Sequence, residues 1–298
     1  MDRLQSLEVF IAVAEAESFA EGARRMGLSA PSATRGVKAL EDRLGVRLFS
    51  RTTRRVRLTD VGTTYLEDAR HILAHVQAAE DAASGAAANP VGELRLTCPN
   101  EFGRIHVMPI LTEFLDMYTR VSAEVVMLDR VANMVEEGFD VAVRIGPLPS
   151  SGLTAVRVGT VRRVICGAPS YFERHGYPQT LADLTGHQIV SASAAGQITD
   201  WRFGVDQSEV VRLKPRLHVS SVAASITAAR QGWGLVRALS YQVGPELQDG
   251  QLQSILTGYE PAPLPIHLVH VEGRRAPAKV RTFIDFAKVR LRSAQILQ

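Results

Sequence analysis

Cysteine is scarce in this chain of 298 residues: Cys98 and Cys166 are the only two. That excludes a disulfide framework, and both lie in apolar or small-residue runs that suit buried thiols. No CxxC pair or Cys/His cluster at zinc spacing accompanies them, so no metal is expected. Long apolar runs are missing as well, since none approaches the ~20 residues of a membrane span. Glu8, Glu15 and Glu17 interrupt the first apolar stretch, where a secretion signal would need an unbroken one. A soluble, cytoplasmic protein with no membrane partner is the expectation. Catalytic signatures are absent in the same way: there is no GxSxG, P-loop or HExxH. His71 and His75 stand four apart on a helical stretch, but no third ligand is near and a solvated face explains them better. Trp201 and Trp233 read as packing residues. No enzyme and no cofactor are expected. One-sided charge is also lacking, with 34 Lys and Arg against 31 Asp and Glu.

What is present is organisation along the chain. At ~150 residues per domain the length suggests two domains, and 46% apolar with 22% charged residues is ordinary for a globular protein. The net charge of +3 hides a concentration. Ten basic residues lie between Arg24 and Arg57, opposed only by Glu41 and Asp42, a local net of +8. Residues 1–90 as a whole carry 12 of each sign. Positive charge focused on one segment is the footprint of a phosphate-binding surface.

The spacing of Leu4, Leu7, Phe10, Ile11 and Ala14 predicts an amphipathic helix over 4–16. Ser18 and Glu21 form a capping-box pattern for a short helix from Phe19 to Met26, which Gly27 ends. Ser29 caps the next helix, with Pro31 in its first turn, Val37, Leu40 and Leu44 inward and Gly45 as its stop. This is a helix-turn-helix, with its motif at about 19–38. Val46–Leu58 reads as a hairpin whose basic, hydroxyl-rich tip suits phosphate contacts. A long helix follows from Val61 to about Ala83. Its stripe of Leu66, Ala69, Ile72, Leu73 and Val76 calls for a partner helix from a second chain. Residues 84–90 are linker-like. Beyond them strands and helices alternate, implying parallel α/β sheet. Strands are expected at Leu94–Thr97, Ala123–Leu128, Phe139–Ile145, Gln188–Ser191, Arg216–Val219, Gly234–Ala238 and Ile266–Val271. Helices are expected at Ile105–Tyr118, Ala132–Glu137, Ala223–Gln231 and Lys279–Leu291.

Several runs carry a family resemblance. They are Leu7-Glu8-Val9-Phe10, Ser18-Phe19-Ala20 through Gly27-Leu28-Ser29, Leu40-Glu41, Leu44-Gly45, Leu48-Phe49-Ser50-Arg51-Thr52-Thr53-Arg54, and Leu58-Thr59 with Gly62. On these the chain resembles the LysR-type transcriptional regulators, nearly without gaps over the first ~90 residues. Glu136–Asp140, Val143–Leu148 and Lys279–Phe286 look like that family's effector domain. The resemblance implies a winged helix-turn-helix (1–60), a linker and dimerisation helix (61–89) and a two-lobed α/β effector domain (91–298) shaped like a periplasmic binding protein. Lobe I is expected at about 91–163 and 266–298, lobe II at about 164–265. It further implies double-stranded DNA with a two-fold operator, a small-molecule effector, a homodimer with the family's usual tetramer, a contact to RNA polymerase, and a place on the bacterial nucleoid. A solute-binding protein is the rival reading, disfavoured by the N-terminal motif.

In the family the positions matching Ala30, Pro31, Thr34 and Arg35 approach bases. Arg35 is the best reader here, because its fork pairs both guanine acceptors. Ser32, Lys38, Arg51, Thr53, Arg54 and Arg55 are expected on phosphates. Gly36 departs from the common pattern, and a close approach to DNA and ordinary tolerance account for it equally well. Effectors in such domains bind where strands end and helix N–H groups are free. That marks Asn100, Glu101 and Phe102, Arg144, Ser191 and Ser193, and Ser220 and Ser221. A small organic or aromatic acid is expected by analogy. Ser220 and Ser221 read equally well as helix caps, and Arg144 leans towards structural support from Asp129 or Asp140.

Overall fold

The structure, a computed structural model, describes all residues except 53–54, 85–89, 151, 193–198, 272–275, 295–296 and 298. The side chains of 51–52, 55, 67, 71, 74–75, 77–84 and 199 also lie outside the description. Two compact units emerge, one within Met1–Pro90 and one built from Val91–Gly273 with Lys279–Gln298.

The first unit contains α1 (Arg3–Ala16), α2 (Phe19–Arg25), α3 (Ala30–Leu44), a hairpin of β1 (Phe49–Thr52) and β2 (Arg55–Leu58), and α4 (Asp60–Ser84). Local chemistry sets the ends. Asp2, Ser18 and Ser29 each accept an N–H from the first turn of the helix that follows. Gly27 and Gly45 sit at φ 65° and 71°, the left-handed turn that closes α2 and α3. The capping box at Ser18 is only half formed. The Ser18 N–H already donates to the Val13 carbonyl, and the Glu21 carboxylate binds Arg24 instead.

Helix α1 proves to be the centre of this unit, packed by α2, α3 and α4. Its buried set therefore extends beyond one stripe to Val9 and Val13, while Leu4 is exposed. Leu44 is exposed too, at the last turn of α3, whereas Val37 and Leu40 are buried. Phe10 of α1 lies 5.4 Å from Phe49 of β1 and 5.6 Å from Tyr65 of α4, and Phe19 of α2 joins at 5.5 Å. Each such tilted or edge-on pair adds ~0.5–1.5 kcal/mol beyond its buried area. Four elements are thus held at one aromatic node.

The second unit begins with β3 (Gly92–Cys98), α5 (Asn100–Phe102), a π-helical turn (Gly103–Val107) and α6 (Met108–Met117). The last three run on continuously. Met108 N–H reaches back to the Gly103 carbonyl just before Pro109, which has no N–H to donate. β4 (Val121–Met127), β5 (Val141–Ile145) and β6 (Thr154–Val161) complete the first passage through lobe I. Lobe II holds β7 (Arg163–Gly167), α7 (Pro169–His175), β8 (Ile189–Ser191), β9 (Thr199–Phe203), β10 (Glu209–Leu213), β11 (Leu217–His218), α8 (Val222–Arg230), β12 (Leu235–Leu239), α9 (Gly244–Gln248) and β13 (Gln253–Ile255). The chain returns to lobe I through β14 (Leu264–His270) and ends in α10 (Ala278–Ser293).

Each lobe is built on one five-stranded sheet, ordered β4-β3-β5-β14-β6 and β11-β8-β12-β7-β13, and lobe II adds the antiparallel β9–β10 pair. The sheets are mixed rather than parallel. β3, β4 and β5 run together, but β14 opposes both β5 and β6, and β7 opposes both β12 and β13. Sequence alternation does not reveal this, because β6 and β14 are the two strands by which the chain leaves and re-enters lobe I. The helix expected at Ala132–Glu137 is a single turn. Gly138, at φ 69°, lets Phe139 N–H close on the Met134 carbonyl and stops it there. On α10 the residues Val280, Phe283, Ile284 and Ala287 are buried. Among the described residues no helix is long and apolar enough to cross a membrane.

Candidate DNA-reading surface and effector cavity

The N-terminal half of α3 sorts its residues by face. Ala33, Gly36, Val37 and Leu40 are buried, while Pro31, Arg35 and Lys38, at helical spacing, are exposed. Arg35 Nη2 leans on Ser32 Oγ at 3.4 Å, a weak contact that leaves its fork available. Thr34 donates its hydroxyl to the Ala30 carbonyl at 2.9 Å, so it keeps only acceptor capacity and its methyl group for a base edge. Ala30 is half-buried. Gly36 does not face outward. A Cβ there would lie 2.5 Å from Met1 Sδ, so the residue serves packing of the chain start on α3 and not a close approach of DNA.

The basic segment is also thinner than its count. Glu21 binds Arg24 through both oxygens, at 2.8 and 2.7 Å, and takes Arg25 at 3.3 Å. The Arg24 hydrogen bonds hold its carboxyl down at about 2. Arg47 pairs with Glu41 at 3.4 Å. Among the described side chains, Arg24, Arg25 and Arg47 thus have acidic partners. On the hairpin, Ser50 stands opposite Arg57 and both are exposed. Arg51 and Arg55 lie in β1 and β2 with side chains outside the description, and Thr53 and Arg54 lie outside the described residues altogether.

Along α4 the expected stripe divides. Ala69 is buried, and Leu66 and Leu73 pack with Tyr65 on the core of their own unit. Arg70 also pairs with Glu15 of α1 at 2.7 Å. Ile72 is exposed and Val76 half-buried. A small domain therefore does bury much of the stripe by itself, because α1 supplies a facing helix.

In the second unit a cavity of about 450 Å³ lies between the lobes. Pro99, Asp129 and Ile145 contribute from lobe I, where β3, β4 and β5 end. Ser191, Trp201, Arg163, Arg237 and Tyr241 line it from lobe II. Arg237 opposes Ile165 and Leu239 opposes Arg163 in the β12–β7 ladder, which makes the two arginines diagonal neighbours on one sheet face. The Arg237 guanidinium sits 5.6 Å from the Trp201 ring and 4.9 Å from Phe203. Its Nη2 donates to the Arg202 carbonyl at 2.6 Å, while its Nε is buried with no hydrogen-bond partner among the described residues. Burial, helped by repulsion from Arg163, pulls the Arg237 pKa down to about 10. Burial lowers Arg163 as well. Two like charges desolvated side by side, with no carboxylate paired to either among the described residues, hold a standing demand for an anion.

Most of the expected effector residues are elsewhere engaged. Ser191 lines the cavity and is buried. Asn100 is tied to Asp129 by two bonds, at 3.0 and 2.8 Å. Glu101 pairs with Arg104 at 2.7 Å. Phe102 is fully buried against His106 and Tyr241. Arg144 donates to the Ala132 carbonyl, not to Asp129 or Asp140; Asp140 takes Lys279 at 2.8 Å. Ser221 accepts the Ala224 N–H as a cap, and Ser220 is exposed. Ser193 lies outside the described residues. Sequence reasoning missed Arg163, Arg237 and the cavity face of Trp201. A signal existed in the arginines interrupting the apolar runs Val161–Cys166 and Leu235–Leu239. Both thiols, Cys98 and Cys166, are buried and pushed up to about 12 by that burial. No group of three metal-ligating residues gathers among the described residues.

A winged helix-turn-helix unit followed by a two-lobed α/β unit with an interlobe cavity defines a ligand-responsive DNA-binding regulator. Comparison with known proteins agrees. Residues 4–63 match the model of the bacterial regulatory helix-turn-helix protein, lysR family, and residues 87–292 that of the LysR substrate binding domain. The uncharacterized HTH-type transcriptional regulator YhjC of Escherichia coli is 33% identical over 96% of this chain and 97% of its own. The solved structure of CrgA, a LysR-type transcriptional regulator from Neisseria meningitidis, matches with a TM-score of 0.62 at 28% identity, covering 96% of this chain and 98% of that one. The full-length virulence activator AphB of Vibrio cholerae matches at a TM-score of 0.60 and 25% identity over the same shares. The chain belongs to the LysR family of transcriptional regulators. It is a DNA-binding regulator with a substrate-binding domain for an effector, not an enzyme.

Proposed function

We propose that this regulator answers to a small organic or aromatic acid held between the lobes by Arg163 and Arg237. The supporting observation is the pair of desolvated arginines on one wall of the cavity, without a carboxylate partner among the described residues. Leaving such charges uncompensated is unfavourable unless a ligand completes them. Trp201 and Tyr241 line the same cavity and suit a flat ring beside the carboxylate. Ser191 supplies a polar edge on the lobe II wall, while Asp129, the one carboxylate among the lining residues, stands on the lobe I wall with its oxygens bonded to Asn100 and directs an acid towards the arginines. Glu101, bound to Arg104, offers no repulsion to an acid. In the first unit Arg35 and Thr34 read bases and Lys38 with the wing holds phosphates. The protein acts as a homodimer or higher oligomer on a two-fold operator, and Ile72 and Val76 are the part of the α4 stripe left for a second copy.

Heating curves of the full chain with a panel of aromatic and aliphatic acids test the effector class. A subset should raise the melting temperature, since a ligand bound only by the folded state stabilises it. If no acid shifts the curve at millimolar concentration, the reading fails. A salt series of DNA retardation on the same preparation tests the first unit independently.

A further inference from the structure

Leu48 lies at the junction of recognition helix, wing and linker helix, and its own N–H and carbonyl join all three. Its N–H donates to Glu41 Oε1 of α3 at 2.8 Å, and the next N–H, of Phe49, reaches the same oxygen at 3.1 Å. Its carbonyl accepts Thr59 N–H at 2.9 Å, where α4 begins, while the Thr59 hydroxyl donates to the preceding Arg47 carbonyl at 2.8 Å. Thr59 Oγ1 also accepts the Gly62 N–H at 2.9 Å, as the cap of α4. A Cβ on Gly62 would fall 2.0 Å from the Leu48 oxygen, so α4 passes this carbonyl at a distance that only glycine allows.

Glu41 is the unusual member. It is 3% exposed, beside Leu40, Val37 and Leu48 of the apolar core. A buried carboxylate is retained only where its hydrogen bonds are made. Here they go to two consecutive backbone N–H groups at the entry to β1, which would otherwise be buried unsatisfied. Arg47 closes the other oxygen from the solvent side at 3.4 Å.

We propose that Glu41 is a positioning residue for DNA binding: it fixes the wing against the recognition helix so that phosphate contacts and base readout fall on one DNA surface. Glu41 is too buried to reach DNA, and its effect on binding is transmitted through the Leu48–Phe49 backbone. The wing residues in question include Ser50 and Arg57, which face each other within the β1–β2 ladder that it anchors.

The test uses the full chain, a duplex recovered by in vitro selection with the wild-type protein, and a random-sequence duplex of equal length. Glu41→Gln keeps the side chain's size and removes the charge that holds two N–H groups at one oxygen. It should weaken binding to the selected duplex at least tenfold. The slope of log affinity against log salt should fall by ~2 or more, because several phosphate contacts are lost together. Arg57→Ala, which removes one phosphate contact, should lower that slope by only ~1. Glu41→Asp keeps the charge but withdraws it by one methylene, and should fail to rescue. An unchanged salt slope, or rescue by Asp, would overturn the proposal and leave Glu41 a stabilising residue only. If neither variant folds, amide exchange in the wild-type protein decides. Leu48 and Phe49 N–H groups should exchange as slowly as the α3 core, and exchange as fast as an exposed turn would refute the tether.

Discussion

Arginine serves the two units under opposite conditions. On α3 and the wing, Arg35 and Arg57 are exposed, fully solvated, and cost little to keep charged. Three neighbours, Arg24, Arg25 and Arg47, are engaged by Glu21 and Glu41. In the cavity, Arg163 and Arg237 are desolvated, lie beside each other, and lack a carboxylate partner among the described residues. The exposed set binds a polyanion by numbers and loses strength as salt screens it. On the proposed function the half-buried pair would bind one small anion, and screening would reach it less. The same residue type therefore marks two kinds of site, and burial distinguishes them better than local charge count does.

The sharpest way to break this contrast is Arg237→Met. Affinity for the acid giving the largest thermal shift should drop by about 2–5 kcal/mol, as when one partner of a buried ion pair is removed. The ligand-free protein should hold or gain stability, because a half-buried charge with no carboxylate paired to it among the described residues has gone. Calorimetric titration and denaturant unfolding read the two effects. Loss of several kcal/mol from the free protein would make Arg237 a structural donor to the Arg202 carbonyl and dissolve the comparison.

Next in size is Arg35→Ala on the exposed side. It should cost ~1–3 kcal/mol on a selected duplex and flatten base preference at one position. Lys38→Ala should instead weaken selected and random duplexes alike and lower the salt slope by ~1. Equal losses from both variants on both duplexes would remove Arg35 from base readout.

Gly36→Ala separates packing from DNA contact. The added methyl meets only the flexible end of Met1, so about 1 kcal/mol of helix propensity should appear as stability, with DNA affinity unchanged. A loss of DNA affinity in a protein of equal or greater stability would restore Gly36 to the reading surface.

The smallest effect is one of pH. Burial and the neighbouring Arg163 pull the Arg237 pKa down to about 10, yet a guanidinium keeps its proton throughout the neutral range. Acid affinity, read by calorimetric titration, should therefore change less than about twofold between pH 7 and pH 9. A steeper fall would place the acid on a group other than the arginines.

Much of the first unit was legible because its signals are local. Ser18, Ser29, Gly27 and Gly45 dictate helix ends through their own backbone chemistry, and the structure places caps and left-handed turns there. What failed locally had tertiary causes. Glu21 has two arginines to bind, Gly36 faces Met1, and α1 supplies the surface that covers Leu66 and Leu73. In the second unit β3, β4, β5, β8, β11, β12 and β14 were readable. The remaining strands were not: β6 and β7, the β9–β10 hairpin carrying Trp201, and β13. Strand direction was invisible because β14 returns from the other lobe. The cavity lining was the least legible part. Arg163 and Arg237 meet only through the β12–β7 ladder, from positions far apart in sequence. Hydroxyl residues at strand ends, such as Ser221, drew attention that their capping bonds explain.

The central claim is that the paired arginines of the cavity await an acid. Calorimetric titration with matched pairs, each an aromatic carboxylic acid and its primary amide, tests it most directly in the wild type and in an Arg163→Met, Arg237→Met double variant. The acid should bind the wild type with at least tenfold advantage over its amide and show no advantage in the double variant. Equal binding of acid and amide to the wild type, or an undiminished preference for acid in the double variant, would contradict the account.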